Sequence, residues 1–221
     1  MVRNFTPLPS QLNFFFENSS LPYIIVISSS KFIKEVYMNS KYPAIGVCGL
    51  SCCLCPGYVI KTKSKCPGCK TDWRFGGPCS ILHCAVKRNI EFCGDCEENK
   101  TCEKWKRHRE AGRKYDSFKC YQKLEDDINF IQKHGLDEFR KSQKVRESLL
   151  REMLDKFNEG RSKSYYCIAA TVLKVAELEE VIAEAKSKFE GLDIKEKAKL
   201  LHSILDNISK KNNYYLKLRK K

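Results

Sequence analysis

The chain has 221 residues, of which 42% are hydrophobic and 31% charged. That composition suits one good-sized or two small globular domains and excludes a wholly disordered chain. The two departures from an average protein are a net charge of +14 and thirteen cysteines. The apolar run Tyr23–Ile27 is far short of the roughly 20 residues of a transmembrane helix. Arg3 is the lone base ahead of that run, Pro7 and Pro9 interrupt the segment, and no small-residue cleavage site follows Ile27. Neither a membrane span nor a secretory signal is expected, which points to the cytoplasm.

Residues 1–37 hold Phe14-Phe15-Phe16, serine clusters and no cysteine, with a net charge of +1. They fit no domain, and the expectation is a poorly ordered or non-native extension, with translation beginning at Met38.

Residues 38–120 form a cysteine-rich module carrying +8. In a reducing compartment, clustered cysteines read as metal ligands rather than disulfides. The candidates are Cys48, Cys52, Cys55, Cys66, Cys69, Cys79, Cys84, Cys93, Cys96 and Cys102. A two-residue gap, as in Cys52/Cys55, Cys66/Cys69 and Cys93/Cys96, lets both thiolates of a turn converge on one tetrahedral ion. Pro67-Gly68 and Gly94 suit such turns. One expected set is Cys52, Cys55, Cys66 and Cys69, and a second is Cys79, Cys84, Cys93 and Cys96. Cys48 or Cys102 can replace a member of either, and sequential and cross-braced pairings both remain open. Cys53 reads as a small buried residue, and His83 as a neighbour of a ligand or a ligand itself. With glycine and proline frequent and periodicity weak, the module is expected to fold around metal rather than around a hydrophobic core. Two Zn2+ ions are expected, with an iron–sulfur cluster as the alternative. All-thiolate sites leave no open position for water, so the metal is structural and no catalytic residue is assigned. Each Zn(Cys)4 centre adds −2, which would lower the module's charge to about +4 and explain half of its basic excess.

Residues 121–221 read as an all-α helical bundle. Leu124, Ile128 and Ile131 recur at helical spacing up to Gly135. A second helix runs from about Asp137, with Phe139, Leu149, Leu150, Met153, Leu154 and Phe157 apolar, to near Gly160. A third starts around Ser164 and buries Ile168, Val172, Val175, Leu178, Ile182 and Phe189 before Gly191. A fourth follows Asp193, whose spacing to Glu196 matches a capping box, and presents Ala198, Leu201, Leu205 and Ile208.

Several of these segments resemble a known family. Cys48-Gly49-Leu50-Ser51-Cys52, Cys55-Pro56-Gly57-Tyr58, Cys66-Pro67-Gly68-Cys69, Ile81 with Cys84-Ala85, and Ile90-Glu91-Phe92-Cys93 with Cys96 are similar to the prokaryotic domain of unknown function 3795. Tyr121-Gln122-Lys123-Leu124 and the run from Gly160 to Cys167 extend the resemblance over about residues 44–190. It implies a cysteine-metal module joined to helices and supplies no reaction.

Two further features are weighed against plainer readings. The basic segment 104–114, with Lys104, Lys106, Arg107, Arg109, Arg113 and Lys114 around Trp105, suits a nucleic-acid or protein partner, or else a solvated linker helix. The tail from Lys210-Lys211 through Tyr214-Tyr215 to Arg219-Lys220-Lys221 suits RNA or an anionic surface, or else a frayed, solvated end. Arg161, Lys163 and Ser164 precede a helix start and suit a bound anion, or else a capped helix with exposed bases. Cys120 and Cys167 stand apart and read as small buried residues.

Overall fold

The computed structural model describes residues 40–71, 79–114 and 122–217. The extension 1–37, Met38, Cys120 and the last residues of the basic tail, 218–221, lie outside them, as do the side chains of Arg107, Arg113 and Lys114. Among the described residues seven helices follow in order: α1 (Pro56–Val59), α2 (Ser80–Lys87), α3 (Glu103–Lys114), α4 (Leu124–Phe157), α5 (Lys163–Val172), α6 (Val175–Ser187) and α7 (Ile194–Lys211). Two short 3₁₀ turns, Cys52–Leu54 and Cys93–Asp95, carry cysteines. Among the described residues there is no strand, only a single bridge between Ile45 and Ser51, and no helix long and apolar enough to cross a membrane.

The expected bundle of helices is present, with one departure. Gly135 interrupts α4 as read, with φ 83° and ψ 165°, so that the element is two helical stretches joined at a kink. Glycine alone tolerates that conformation at little cost, and the chain resumes the helix one residue later. The expected third helix is two. Leu173 and Lys174 are extended and separate α5 from α6. Arg146 Nη1 donates to the carbonyls of Ala170 at 2.8 Å and Leu173 at 2.5 Å. The amide of Lys174 donates to Glu177 Oε2 at 2.8 Å. These contacts satisfy the backbone groups that the break orphans. Apolar spacing conceals it, because residues 168, 172, 175, 178 and 182 keep one register across it. The capping box of α7 forms as read. Asp193 Oδ1 accepts from the amides of Lys195 and Glu196 at 2.7 and 2.8 Å, and Glu196 returns the contact to Asp193 N at 2.9 Å.

The apolar side chains make two cores. One joins the second half of α4 to α5, α6 and α7, through Leu150, Met153, Phe157, Tyr166, Leu178, Leu201 and Leu205, and takes Leu54 from the first 3₁₀ turn. The other holds Tyr42, Ile45, Val47, Ile81, Leu82, Phe92 and Trp105, closed by Leu124, Ile128, Ile131 and Phe139 of α4. The expectation of a coreless cysteine module is therefore corrected. Its apolar residues are too scattered in sequence to show a period, and α4 supplies the surface they lack. The first half of α4 thus belongs to the cysteine core and its second half to the bundle.

Asp127, on the first turns of α4, is pushed up to about 7 by burial, against the opposing pull of Arg146 and Lys123. The unfolded chain loses this proton near pH 4, so the residue costs stability progressively as pH rises from about 4 to about 7. Asp127→Asn is expected to leave the melting temperature near pH 4 unchanged and to raise it at pH 8, which thermal unfolding at the two pH values checks.

Candidate metal centre

The cysteines fall into two groups. The first is built on a tight loop that the Ile45–Ser51 bridge closes. Cys52 N donates to Ala44 O at 2.7 Å, and Gly46 N and Leu50 O pair at 2.9 Å. Cys48 sits at the tip, where Gly49 has φ +82°. A Cβ on Gly46 would stand 3.2 Å from Cys48 Sγ and 3.6 Å from the Cβ of Cys69, so the loop approaches the 66–69 turn closely. Cys66 N donates to Gly57 O at 2.8 Å, which draws that turn to α1. The Cys52 thiol hydrogen-bonds with Cys69. That contact, burial, and the nearby Cys69 and Cys48 sulfurs hold its pKa well above the ordinary thiol value. Burial raises Cys55 as well, beside Cys69 and Cys66, while the amides of Gly57 and Tyr58 donate to its sulfur and favour the thiolate. Amides aimed at a sulfur and four neighbouring thiols are what a cation would use. A fifth thiol is present in the group, one more than a tetrahedral ion takes.

The second group lines a cavity of about 30 Å3, formed by Cys84 of α2, Cys93 and Cys96 of the second 3₁₀ turn, and Cys102 at the start of α3. Space on that scale is enough for a water molecule or a single ion. Burial raises the Cys93 thiol, as do the surrounding Cys84, Cys96 and Cys102, while the nearby Trp105 indole N–H opposes the rise. Arg88 Nη1 donates to Cys96 Sγ at 3.4 Å, with its Nη2 on Glu98 at 2.8 Å. Asn99 Nδ2 donates to Cys93 O at 3.0 Å, and Gln132 Nε2 of α4 to Gly94 O at 2.6 Å. Arg88 thus holds a sulfur, and Asn99 and Gln132 hold the turn that carries Cys93.

Among the described residues, no three His, Cys, Asp or Glu side chains stand close enough to grip a metal ion as they are. The donor chemistry nonetheless fits one. Both groups are all sulfur, suited to a soft or borderline cation, and buried thiols raised by their neighbours are the arrangement that a +2 charge would reverse. None of the twelve described cysteines is in a disulfide.

The placement of the remaining sequence candidates is informative. Cys79, expected in the second set, caps α2 and packs on the apolar core. Cys102 lines the cavity instead. Cys53 lies beside Glu147 and Arg151 of α4 and is pushed up to about 11, first by burial and then by Glu147. His83 is exposed, and Cys167 is buried in the bundle core.

The reading of 104–114 as a stacking surface is corrected at two residues. Trp105 is fully buried and offers no face to a base. Arg109 pairs with Glu125 and donates to Asn99 Oδ1 and O, each at 2.9 Å, so it fastens α3 to the cysteine turn and to α4.

At the start of α5 a carboxylate of the chain itself, Glu159, stands beside Arg161 and Ser162. Burial pushes Glu159 up, but the Ser162 hydroxyl, at 2.6 Å, and the Arg161 amide donate to it and leave its pKa low. Sequence reasoning missed this network. Ser162 Oγ also meets His202 Nε2 at 2.7 Å, and Tyr165 stacks on His202 with centroids 4.0 Å apart while its hydroxyl donates to Asp206 at 2.7 Å. Ser162 is 2% exposed, which closes it to a substrate. His202 lies forty positions away in sequence, and no local signal connects the two.

No family model, curated protein or solved structure matches the chain.

Gly94 is the steric test of the second group. A Cβ there would lie 2.2 Å from Cε1 of Phe92, a buried ring with nowhere to move. Gly94→Ala is expected to cost about 1–3 kcal/mol in a denaturant melt and to increase the alkylation rate of Cys93 and Cys96.

Proposed function

We propose that this protein is a structural zinc-binding protein, in which thiolate-held ions fix the surface of a module that meets a partner. The observation that carries the reading is the set Cys84, Cys93, Cys96 and Cys102 around one small cavity, with Arg88 donating to Cys96 Sγ and the Trp105 indole N–H near Cys93. Such donors orient thiolates and spread their charge. Bound there, a zinc ion would supply Lewis-acid charge that keeps four adjacent thiolates together at neutral pH. The chain's own residues do the rest. Cys93 and Cys102 anchor the ends of the 93–102 turn, Asn99 and Arg109 hold its backbone, and α4 backs it through Gln132.

An iron–sulfur cluster, which also takes four thiolates, is the alternative that metal analysis separates from zinc. A nucleic-acid partner is the weaker version of the binding role, since Trp105 and Arg109 are engaged inside the fold. Lys104 and Lys106 remain at the surface. The motif resemblance to domain of unknown function 3795, and a reducing cytoplasmic setting, agree with the zinc reading.

Metal analysis of the anaerobically purified full chain is expected to give two zinc ions per chain. A coloured protein containing iron and sulfide would overturn zinc. Trp105→Phe keeps an aromatic ring, though a smaller one, removes the N–H beside Cys93, and is expected to weaken zinc affinity by about 10- to 100-fold in chelator competition. Because an apolar core underlies the module, chelation is expected to free the 46–50, 66–69 and 93–102 segments for proteolysis while the helical circular dichroism of α4–α7 persists.

A further inference from the structure

The two cysteine groups are joined by three short contacts, each linking a residue within two positions of a cysteine in one group to a residue equally near a cysteine in the other. Val47, next to Cys48, accepts through its carbonyl from the amide of Cys93 at 2.7 Å. Lys70, next to Cys69, is 3% exposed and pairs with Glu91, two positions before Cys93. The same ammonium donates to Ser40 Oγ at 3.2 Å and Tyr42 O at 3.3 Å, so it has little freedom to let go. Phe92, buried between Glu91 and Cys93, lies under the Cys48 loop. A Cβ on Gly49 would stand 3.1 Å from its ring, and the same ring blocks a Cβ on Gly94. The loop that presents Cys48, the turn that ends at Cys69 and the turn that starts at Cys93 are therefore one mechanical unit.

Resting on the zinc reading above, we infer that the two groups fill as a coupled pair, an ion at either one raising the affinity of the other. The ordering of loops 46–50, 66–69 and 91–96 is shared between the sites, so the chain that has ordered them for one ion has less left to order for the next. Reciprocity follows, because a coupling free energy acts equally in both directions. Lys70 and Glu91 are positioning residues in this arrangement and touch no ion themselves.

The test titrates the full chain with Zn2+ against a chromophoric chelator and maps which cysteines resist alkylation. The wild-type chain is expected to take up two ions. Cys66→Ser with Cys69→Ser should retain one ion, protect Cys84, Cys93, Cys96 and Cys102, and hold that ion about 5- to 150-fold more weakly than the wild type. Lys70→Met with Glu91→Gln keeps every thiol and leaves no buried charge unpaired. It should retain two ions and hold the second at least about fivefold more weakly. Two ions in the wild type with unchanged affinities in both variants overturns the coupling and leaves the zinc reading standing. A wild-type chain that takes up no zinc overturns the zinc reading and the coupling together.

Discussion

The packing of Phe92 is the contact on which the rest of the N-terminal half depends. The ring is 1% exposed, and Ile131 of α4 and the ring itself both approach Gly49. It carries the turn of Cys93 directly and props the loop of Cys48 from below. Its neighbours leave room for glycine alone at position 94, where the ring fills the space of a side chain. A chain segment with few regular hydrogen bonds is thereby held at a defined distance from a helix, and its sulfurs with it.

This apolar footing changes what metal would do here. In a small module without a core, the binding energy of a structural ion is the folding energy. Here Ile45, Val47, Ile81, Leu82, Phe92 and Trp105 are buried together with three residues of the first half of α4 and Phe139 beyond its kink. An ion would act on the local order of the loops above that core and on the charge of their thiols. Burial and neighbouring sulfurs raise Cys52, Cys55 and Cys93, so these thiols favour the protonated form, a preference that a nearby cation would oppose.

The basic character of the chain likewise has internal uses. Lys70 is buried against Glu91, Arg109 spans α3, the 99–100 turn and Glu125, and Arg146 holds the carbonyls at the end of α5. Arg88 lends its charge to Cys96. Each sits where a fixed cation satisfies carbonyls, carboxylates or thiols, which a count of charges reads as surface available to a polyanion.

The sequence by itself determined the helical half closely, because amphipathic spacing, the Asp193–Glu196 capping box and the stop at Gly135 are local signals read within one or two turns. It also identified the cysteine turns as chemically special, since two-residue spacing is a local property. Only the tertiary structure decided which thiols share a group. Cys102 lies beside Cys84 because Trp105 buries its ring and brings the start of α3 inward, and Cys79 stays away as the cap of α2. The apolar core under the module, the division of α4 between two cores, the break at Leu173 and the Ser162–His202 contact were equally invisible, as each depends on residues distant in sequence. Contacts of that range are fixed by packing, and packing leaves no period in the chain for a reader to find.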